Sequence, residues 1–355
     1  MQQKKLNFFS IITTGRTGSD YLEACINGLS TVLTIPDKIY FYKFCNKFKI
    51  NKNQKIKKKK FLKKFVKNNK NFFNGSKLEN KFYSINKNKF INLFNKNYKE
   101  TFITRDQFLI NLYLSYSLYL KENIKKKINL IYHAHHFDEN QYFLDDFKHV
   151  KIFITIRDPR QNLYSGIYNW RKYQKNRNTQ QFNFNYLKRV IEDLNRALKL
   201  PNKKIFIKLE EANDIKIKKK ISNFLKNKFE KKIFYATYFT EKKWTGDKLS
   251  TFKSKGLFNV NIKKKIWQNS FSLHDIKLLN FLFKNYKKFN YDMSNKYTIA
   301  QLFLFSWRPF SFEVSTFVYS LKNESILKIF KNFFWYIIRT MYIYKKILKF
   351  FLFKI

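Results

Sequence analysis

Residues 8–22, Phe8-Phe9-Ser10-Ile11-Ile12-Thr13-Thr14-Gly15-Arg16-Thr17-Gly18-Ser19-Asp20-Tyr21-Leu22, constrain the fold more than any other stretch of the chain. Phe8 to Thr13 is a short apolar run of the kind a buried parallel strand needs. Gly15 and Gly18 let the chain turn sharply and bring backbone N–H groups close to an anion. From Ser19 onward Leu22, Cys25, Ile26 and Leu29 recur at helical spacing, and Asn27-Gly28 or Ser30 can end that helix. A glycine loop that empties into a helix N-terminus favours a phosphate or sulfate, because free N–H groups and the helix dipole both attract negative charge. Arg16 adds a fixed cation with several donors. Taken alone, the stretch also fits a plain glycine turn before a core helix.

The nucleoside-triphosphate loop, G-x-x-x-x-G-K-[ST], does not match, since neither Gly15 nor Gly18 leads to a Gly-Lys pair. The stretch resembles instead the 5′-phosphosulfate loop of sulfotransferases, a basic residue followed by [ST]-G-[ST], here Arg16-Thr17-Gly18-Ser19. A second segment carries the same resemblance. The β-branched run Val150 to Ile156 leads into Arg157-Asp158-Pro159-Arg160-Gln161-Asn162-Leu163-Tyr164-Ser165-Gly166. Sulfotransferases bind the 3′-phosphate of their donor, 3′-phosphoadenosine-5′-phosphosulfate (PAPS), with an Arg at a strand end and a Ser eight places later, the interval between Arg157 and Ser165. The physics suits that task. An Arg at the carboxyl edge of a parallel sheet faces the ligand crevice, and its planar fork can pair a phosphate bidentately. Singly, Arg157 reads as a surface ion pair and Ser165 as an ordinary helix residue. Two half-motifs in the right order, each at a strand-to-helix junction, favour the sulfotransferase reading.

The resemblance spans residues 8–260 with gaps. It takes in Lys208-Leu209-Glu210-Glu211, similar to the family's acidic strand-end segment, and Lys243-Trp244-Thr245-Gly246-Asp247 followed by Phe252-Lys253-Ser254-Lys255-Gly256, similar to loops that close over the nucleotide. It lends Lys255 and Gly256 a 3′-phosphate role and Trp244 a stacking role. Asp20 departs from the family, where a second hydroxyl residue is common; a carboxylate repels sulfate, so it is expected to point away, as a helix N-terminal acid or toward Arg16. Sulfuryl transfer to an alcohol also needs a base. His133-Ala134-His135-His136 resembles the Lys-x-His of cytosolic sulfotransferases, which makes His135 the base and puts His133 where their Lys stands; other branches use a Glu. Alternation places both imidazoles on one strand face. The same pair fits a metal site, but no third ligand with suitable spacing stands out beyond Asp138 and Glu139, and plain loop histidines are the remaining reading. His149 and His274 have no motif around them.

The rest of the 355 residues support an α/β chain. Strands are expected at Thr31–Ile35, closed by Pro36-Asp37, at Ile128–Ala134, Val150–Ile156 and Ile205–Leu209. Helices are expected after the Thr104-Arg105-Asp106-Gln107 capping box to Leu120, over Gln161–Tyr173 with Asp158 as N-cap and Pro159 as first residue, over Asn185–Leu200, and over Ile215–Leu225. This alternation predicts a parallel sheet flanked by helices; the resemblance makes it the P-loop nucleoside-triphosphate-hydrolase-like sulfotransferase fold. A domain over 1–300 is expected, with a Lys/Asn-rich variable insertion at 46–100 and a basic aromatic extension at 301–355. Phe61, Leu62, Phe65 and Val66 make part of the insertion amphipathic; it reads as a solvated surface or as a flap over an acceptor, with the first favoured.

Lys+Arg number 73 against 24 Asp+Glu, a net charge of +49. Such a balance suits nucleic acid, anionic lipid or an anionic substrate. Nearly all of it is Lys among Asn, Ile, Phe and Tyr, the mixture an AT-rich coding bias yields, so no nucleic-acid partner is expected from it. Cys25 and Cys45 give no disulfide framework, which fits a reducing cytoplasm. Lys4-Lys5 and the apolar run after them end in Gly-Arg-Thr-Gly-Ser-Asp rather than a signal cleavage site. Residues 326–355 are too charged to span a bilayer and fit either a basic helix on the inner membrane face or a packed terminal helix. The expectation is therefore a PAPS-dependent sulfotransferase, without a metal, acting on a hydroxyl of a carbohydrate or glycolipid. Two readings compete: a non-enzymatic basic protein that binds nucleic acid or membrane, and a nucleotide kinase, which the missing loop lysine disfavours.

Overall fold

The computed structural model describes residues 6–36, 38–75, 83–238, 242–246, 249, 254–294 and 297–353. Lys4, Lys5, Asp37, Asp247, Phe252 and Lys253, named above, lie outside them. The chain forms two compact units, one of Met1–Thr13, Gly18–Ile156 and Pro201–Ile262, the other of Thr14–Thr17, Arg157–Leu200 and Lys263–Ile355.

The first unit runs β1 (Asn7–Thr13), α1 (Ser19–Asn27), β2 (Val32–Leu33), α2 (Phe41–Lys47), β3 (Ile56–Lys57), α3 (Lys58–Asn68), α4 (Lys70–Asn74), α5 (Lys87–Asn97), β4 (Phe102–Ile103), α6 (Arg105–Tyr119), β5 (Asn129–His133), α7 (Phe137–Asp146) and β6 (Lys151–Ile156). It resumes with β7 (Lys204–Lys208), α10 (Ile215–Phe224) and the antiparallel pair β8 (Thr237–Tyr238) and β9 (Lys242–Lys243). Five strands make one sheet in the order β2-β5-β1-β6-β7, every pairing in it parallel. The fold class is α/β, a parallel sheet with helices, as the alternation predicts.

β1 is central, and Phe9, Ile11 and Ile12 are fully buried, which is why its sequence is an unbroken apolar run rather than an alternating one. The strand expected at Thr31–Ile35 shortens to Val32–Leu33, pairing only with β5. From β1 the chain crosses to β2 on one side of the sheet, and from β6 it crosses to β7 on the other. The carboxyl ends of β1 and β6, adjacent through Thr13↔Thr155, therefore flank the point where the connections diverge, the usual ligand crevice of an open parallel sheet.

Among its described residues the segment over 46–100 is amphipathic: most of its lysines face solvent, while its Phe residues build a core. Phe61 and Phe65 of α3, Phe72 and Phe73 of α4, and Phe90 and Phe94 of α5 are buried with Phe108 of α6 in one core cluster. The rings of Phe61 and Phe108 lie 4.4 Å apart and those of Phe94 and Phe108 4.9 Å apart. Spacing at i and i+4 puts the Phe residues on one helix face, and the Lys residues between them take the other. The Thr104 capping box is present, with Gln107 accepting from the Thr104 N–H at 3.1 Å.

The second unit holds the loop Thr14–Thr17, α8 (Pro159–Tyr173), α9 (Gln180–Lys199), α11 (Leu273–Leu282), α12 (Ile299–Trp307), α13 (Ser311–Asn323) and α14 (Ile326–Phe353). Residues 301–355 thus fall in one compact unit with 157–200 and 263–300. Asp158 caps α8 by accepting from the Arg160 N–H at 2.9 Å, with Pro159 in the first turn.

Candidate functional site

In the second unit, two side chains hold the glycine loop by its backbone. Asn162 of α8 donates Nδ2–H to the Thr14 carbonyl at 2.8 Å, and its Oδ1 accepts from the Arg16 N–H at 2.8 Å. The hydroxyl of Tyr186, on α9, donates to the same Oδ1 at 3.0 Å and lies 3.2 Å from the Arg16 nitrogen. The close fit explains two glycines. Gly15 has φ of 121°, and a Cβ there would sit 2.6 Å from Asn162 Oδ1. A Cβ on Gly166 would fall 2.0 Å from the Tyr186 ring, so the smallness of residue 166 seats that tyrosine.

Arg16 and Arg157 converge in this unit. Burial pushes the Tyr186 phenol above its usual value, while Arg189, Arg16 and Arg157 pull it back. Arg189 is itself paired with Asp193, its Nε–H donating to Oδ2 at 3.1 Å. Arg157 is 7% exposed, which excludes the surface ion pair as its role. Ser165 is buried on α8, where its Oγ accepts from Asn169 Nδ2 at 3.2 Å. The neighbouring Arg160 does a different job: its fork closes on the Asp158 carboxylate at 2.8 and 3.0 Å, and its plane lies 4.1 Å from the Trp267 ring. Arg160 thereby neutralises the acid of the Arg-Asp-Pro-Arg run by a charge-assisted fork. Neither Asn162 nor Tyr186 stood out in the sequence. Asn162 lies inside the Arg157-to-Ser165 motif, five residues beyond Arg157, and that position was its only signal.

In the first unit, Gly18 is the N-cap of α1 with a left-handed backbone, φ 81°, and Ser19 is the buried first residue. Asp20 and Glu23 of α1 face the histidines at the end of β5. Glu23 Oε2 is 2.8 Å from His133 Nδ1, and Asp20 Oδ1 is 3.0 Å from His135 Nε2. The ammonium of Lys38 is bonded to Asp20 and lies 3.0 Å from His135 Nε2. Burial works to raise the Asp20 carboxyl, but Lys38 and then His135 and His133 outweigh it and hold the acid well below its usual range. Burial and then Lys38 push His135 below the ordinary imidazole value, against the opposing pull of Asp20. His135 is accordingly neutral near pH 7 and able to accept a proton.

This cluster supplies what sequence spacing could not. Asp20, far from the histidines in sequence, offers an oxygen within 4.8 Å of ligand nitrogens of both His133 and His135, so a third potential metal ligand does exist. The Lys38 ammonium is bonded to two members of that trio, and a divalent ion would have to displace it. The lysine beside the candidate base is likewise Lys38, distant in sequence, while His133 pairs with Glu23.

Lys255 and Gly256 belong to the first unit, apart from Arg157 and Ser165 in the second. Gly256 closes a backbone ladder, its N–H donating to the Trp244 carbonyl at 2.9 Å and its carbonyl accepting from Ala236 at 2.8 Å; Lys255 is exposed. The Trp244 ring lies 5.8 Å from that of Tyr21 on α1. Lys208 and Glu211 of the acidic segment pair at 2.8 Å.

No protein-family model matches the chain, and no curated protein matches its sequence. Among solved structures, the chain is similar to the sulfotransferase domain from the Synechococcus PCC 7002 olefin synthase, at 13% identity and a TM-score of 0.45, over 82% of this chain and 98% of that one. It is also similar to the sulfotransferase domain from the curacin biosynthetic pathway, at 13% identity and a TM-score of 0.49, over 82% of this chain and all of that one.

Proposed function

We propose that the protein is a sulfotransferase that takes a sulfuryl group from PAPS and places it on a hydroxyl acceptor, a carbohydrate or glycolipid. The observation that carries this reading is the convergence in one unit of a clamped glycine loop with Arg16, Arg157 and Ser165, on segments that follow adjacent parallel strands. The donor set fits a molecule with phosphate at both ends: backbone N–H groups and Arg16 at one end, a buried guanidinium and a hydroxyl at the other.

The bound donor supplies an activated sulfur whose leaving group is a phosphate. The chain's residues do the rest. Gly15 to Ser19 hold the 5′ end, and Arg157 and Ser165 hold the 3′-phosphate. Arg16 neutralises the charge that grows on the bridging oxygen as the S–O bond breaks and the acceptor oxygen bonds to sulfur. His135 takes the acceptor's proton, and burial together with Lys38 keeps that imidazole neutral beforehand. Positioning and charge neutralisation carry most of the rate, as in phosphoryl transfer. Lys255 and Gly256 remain proposed contacts to the 3′-phosphate from a loop of the first unit.

Two measurements test the reading together. Adenosine 3′,5′-bisphosphate should raise the melting temperature of the wild type and leave that of Arg157→Ala unchanged. A transfer screen with labelled donor against glycans, glycolipids and phenols should find an accepted hydroxyl. A thermal shift that persists in Arg157→Ala would overturn the site. Steeply salt-dependent binding to nucleic acid with no response to the nucleotide would overturn the enzyme.

A further inference from the structure

We infer that α12, α13 and α14 form a docking surface for an anionic lipid bilayer, a property independent of the sulfotransferase reading. α14 carries two apolar faces. One, with Tyr336, Ile343 and Ile347, is buried in the second unit, where Arg339 pairs with Glu313 at 2.6 and 3.0 Å. The opposite face carries Leu327, Phe334, Met341 and Leu348, spaced every seventh residue and therefore on one stripe, and all are exposed, Leu327 to 79%. The adjoining α13 has exposed apolar residues at i, i+4 and i+7, and α12 has a pair at i and i+3. Val314, Val318 and Leu321 of α13 are exposed, as are Leu304 and Trp307 of α12. Both helices touch α14: Phe317 lies 5.8 Å from Tyr336, and Phe303 4.9 Å from Tyr344.

An apolar surface of this extent marks an interaction site. Charge selects the occupant. Arg308, Lys322, Lys331, Lys345 and Lys349 are exposed on these helices. The acids of the three helices are already engaged, Glu313 buried on Arg339 and Glu324 paired with Lys328 at 2.5 Å. A second copy of the chain would set lysines against lysines. An anionic bilayer takes the apolar stripe into its headgroup boundary and pairs the lysines with lipid phosphates. No helix among the described residues is long and apolar enough to cross the membrane, so the helices lie on it.

The full chain should float with vesicles of phosphatidylcholine and phosphatidylglycerol and not with phosphatidylcholine alone. Leu327→Gln with Phe334→Gln and Met341→Gln should weaken binding by about 100-fold or more, since each side chain loses its burial in lipid. Exposed side chains hold little of the fold together, so its melting temperature should stay put. Should that variant fail to fold, Lys331→Gln with Lys345→Gln and Lys349→Gln decides instead; each lysine removed should cost about fivefold on anionic vesicles. Equal binding to neutral vesicles, no binding to either, or a lipid-free dimer abolished by the apolar substitutions would overturn the inference.

Discussion

The surroundings of Tyr186 and of Asp20 are opposite solutions to the placing of charge. Around Tyr186 act Arg16, Arg157 and Arg189, the last paired with Asp193 at 3.1 Å, with a loop held by neutral Asn and Tyr groups. Around Asp20 the charges alternate, acid against lysine and acid against imidazole: Asp20 with Lys38 and His135, Glu23 with His133. The first region fixes the path of a loop; the second fixes protonation states. The difference teaches that a net charge of +49 locates nothing; the particular partners each charge meets do.

Substitutions in each region sharpen the contrast. His135→Gln should lower turnover most, by about 10²–10⁴-fold, with nucleotide binding intact, as befits a lost general base. Arg16→Ala should cost about 10²–10³-fold in turnover, measured with saturating donor. If both substitutions instead abolished nucleotide binding alike, the two regions would not have separate tasks. Gly15→Ala should destabilise by about 1–3 kcal/mol in chemical denaturation, because a side chain at φ 121° is strained and meets Asn162. Tyr186→Phe should cost about 1 kcal/mol in the same assay, the worth of a buried hydrogen bond.

Acidity gives the smallest and most local effect. The folded Asp20 ionises well below its ordinary value of 3.8, so its contribution to stability is complete above that value and drains away as pH falls through the lower folded value. Folded His135 titrates below 6.5, so the unfolded chain binds more protons as pH falls under 6.5 and stability declines there too. Denaturation midpoints followed against pH should flatten in Asp20→Asn at the lower end and in His135→Gln at the upper. The acid limb of turnover should lie below pH 6.5.

Much of this was legible in the residues. The apolar run before Gly15 and the β-branched run before Arg157 announced parallel strands, because a strand covered on both faces must be largely apolar; that the two are neighbours only the sheet shows. The Asp158-Pro159 helix start appeared as read, because capping is local. In the lysine-rich segment after residue 46 the spacing of Phe61, Leu62 and Phe65 showed an apolar face, but not that Phe72, Phe90 and Phe94 join it in one core with Phe108. The same alphabet of Lys, Phe and Ile in α14 leaves Phe334 outside and Ile343 inside, and only the neighbouring helices decide which.

Local order of residues alone determined the strand–loop–helix junctions, since hydrogen-bonding geometry over a few residues suffices for each; the candidate anion contacts Arg16, Arg157 and Ser165 were named through their resemblance to sulfotransferase motifs. Tertiary structure decided that Asn162 and Tyr186 hold the loop, that Lys38 as well as His133 stands beside His135, and that Asp20 faces the histidines. These pairings join residues far apart in the chain, and no spacing rule reaches across such intervals. They arise only when the parallel sheet brings the carboxyl ends of its strands to one edge.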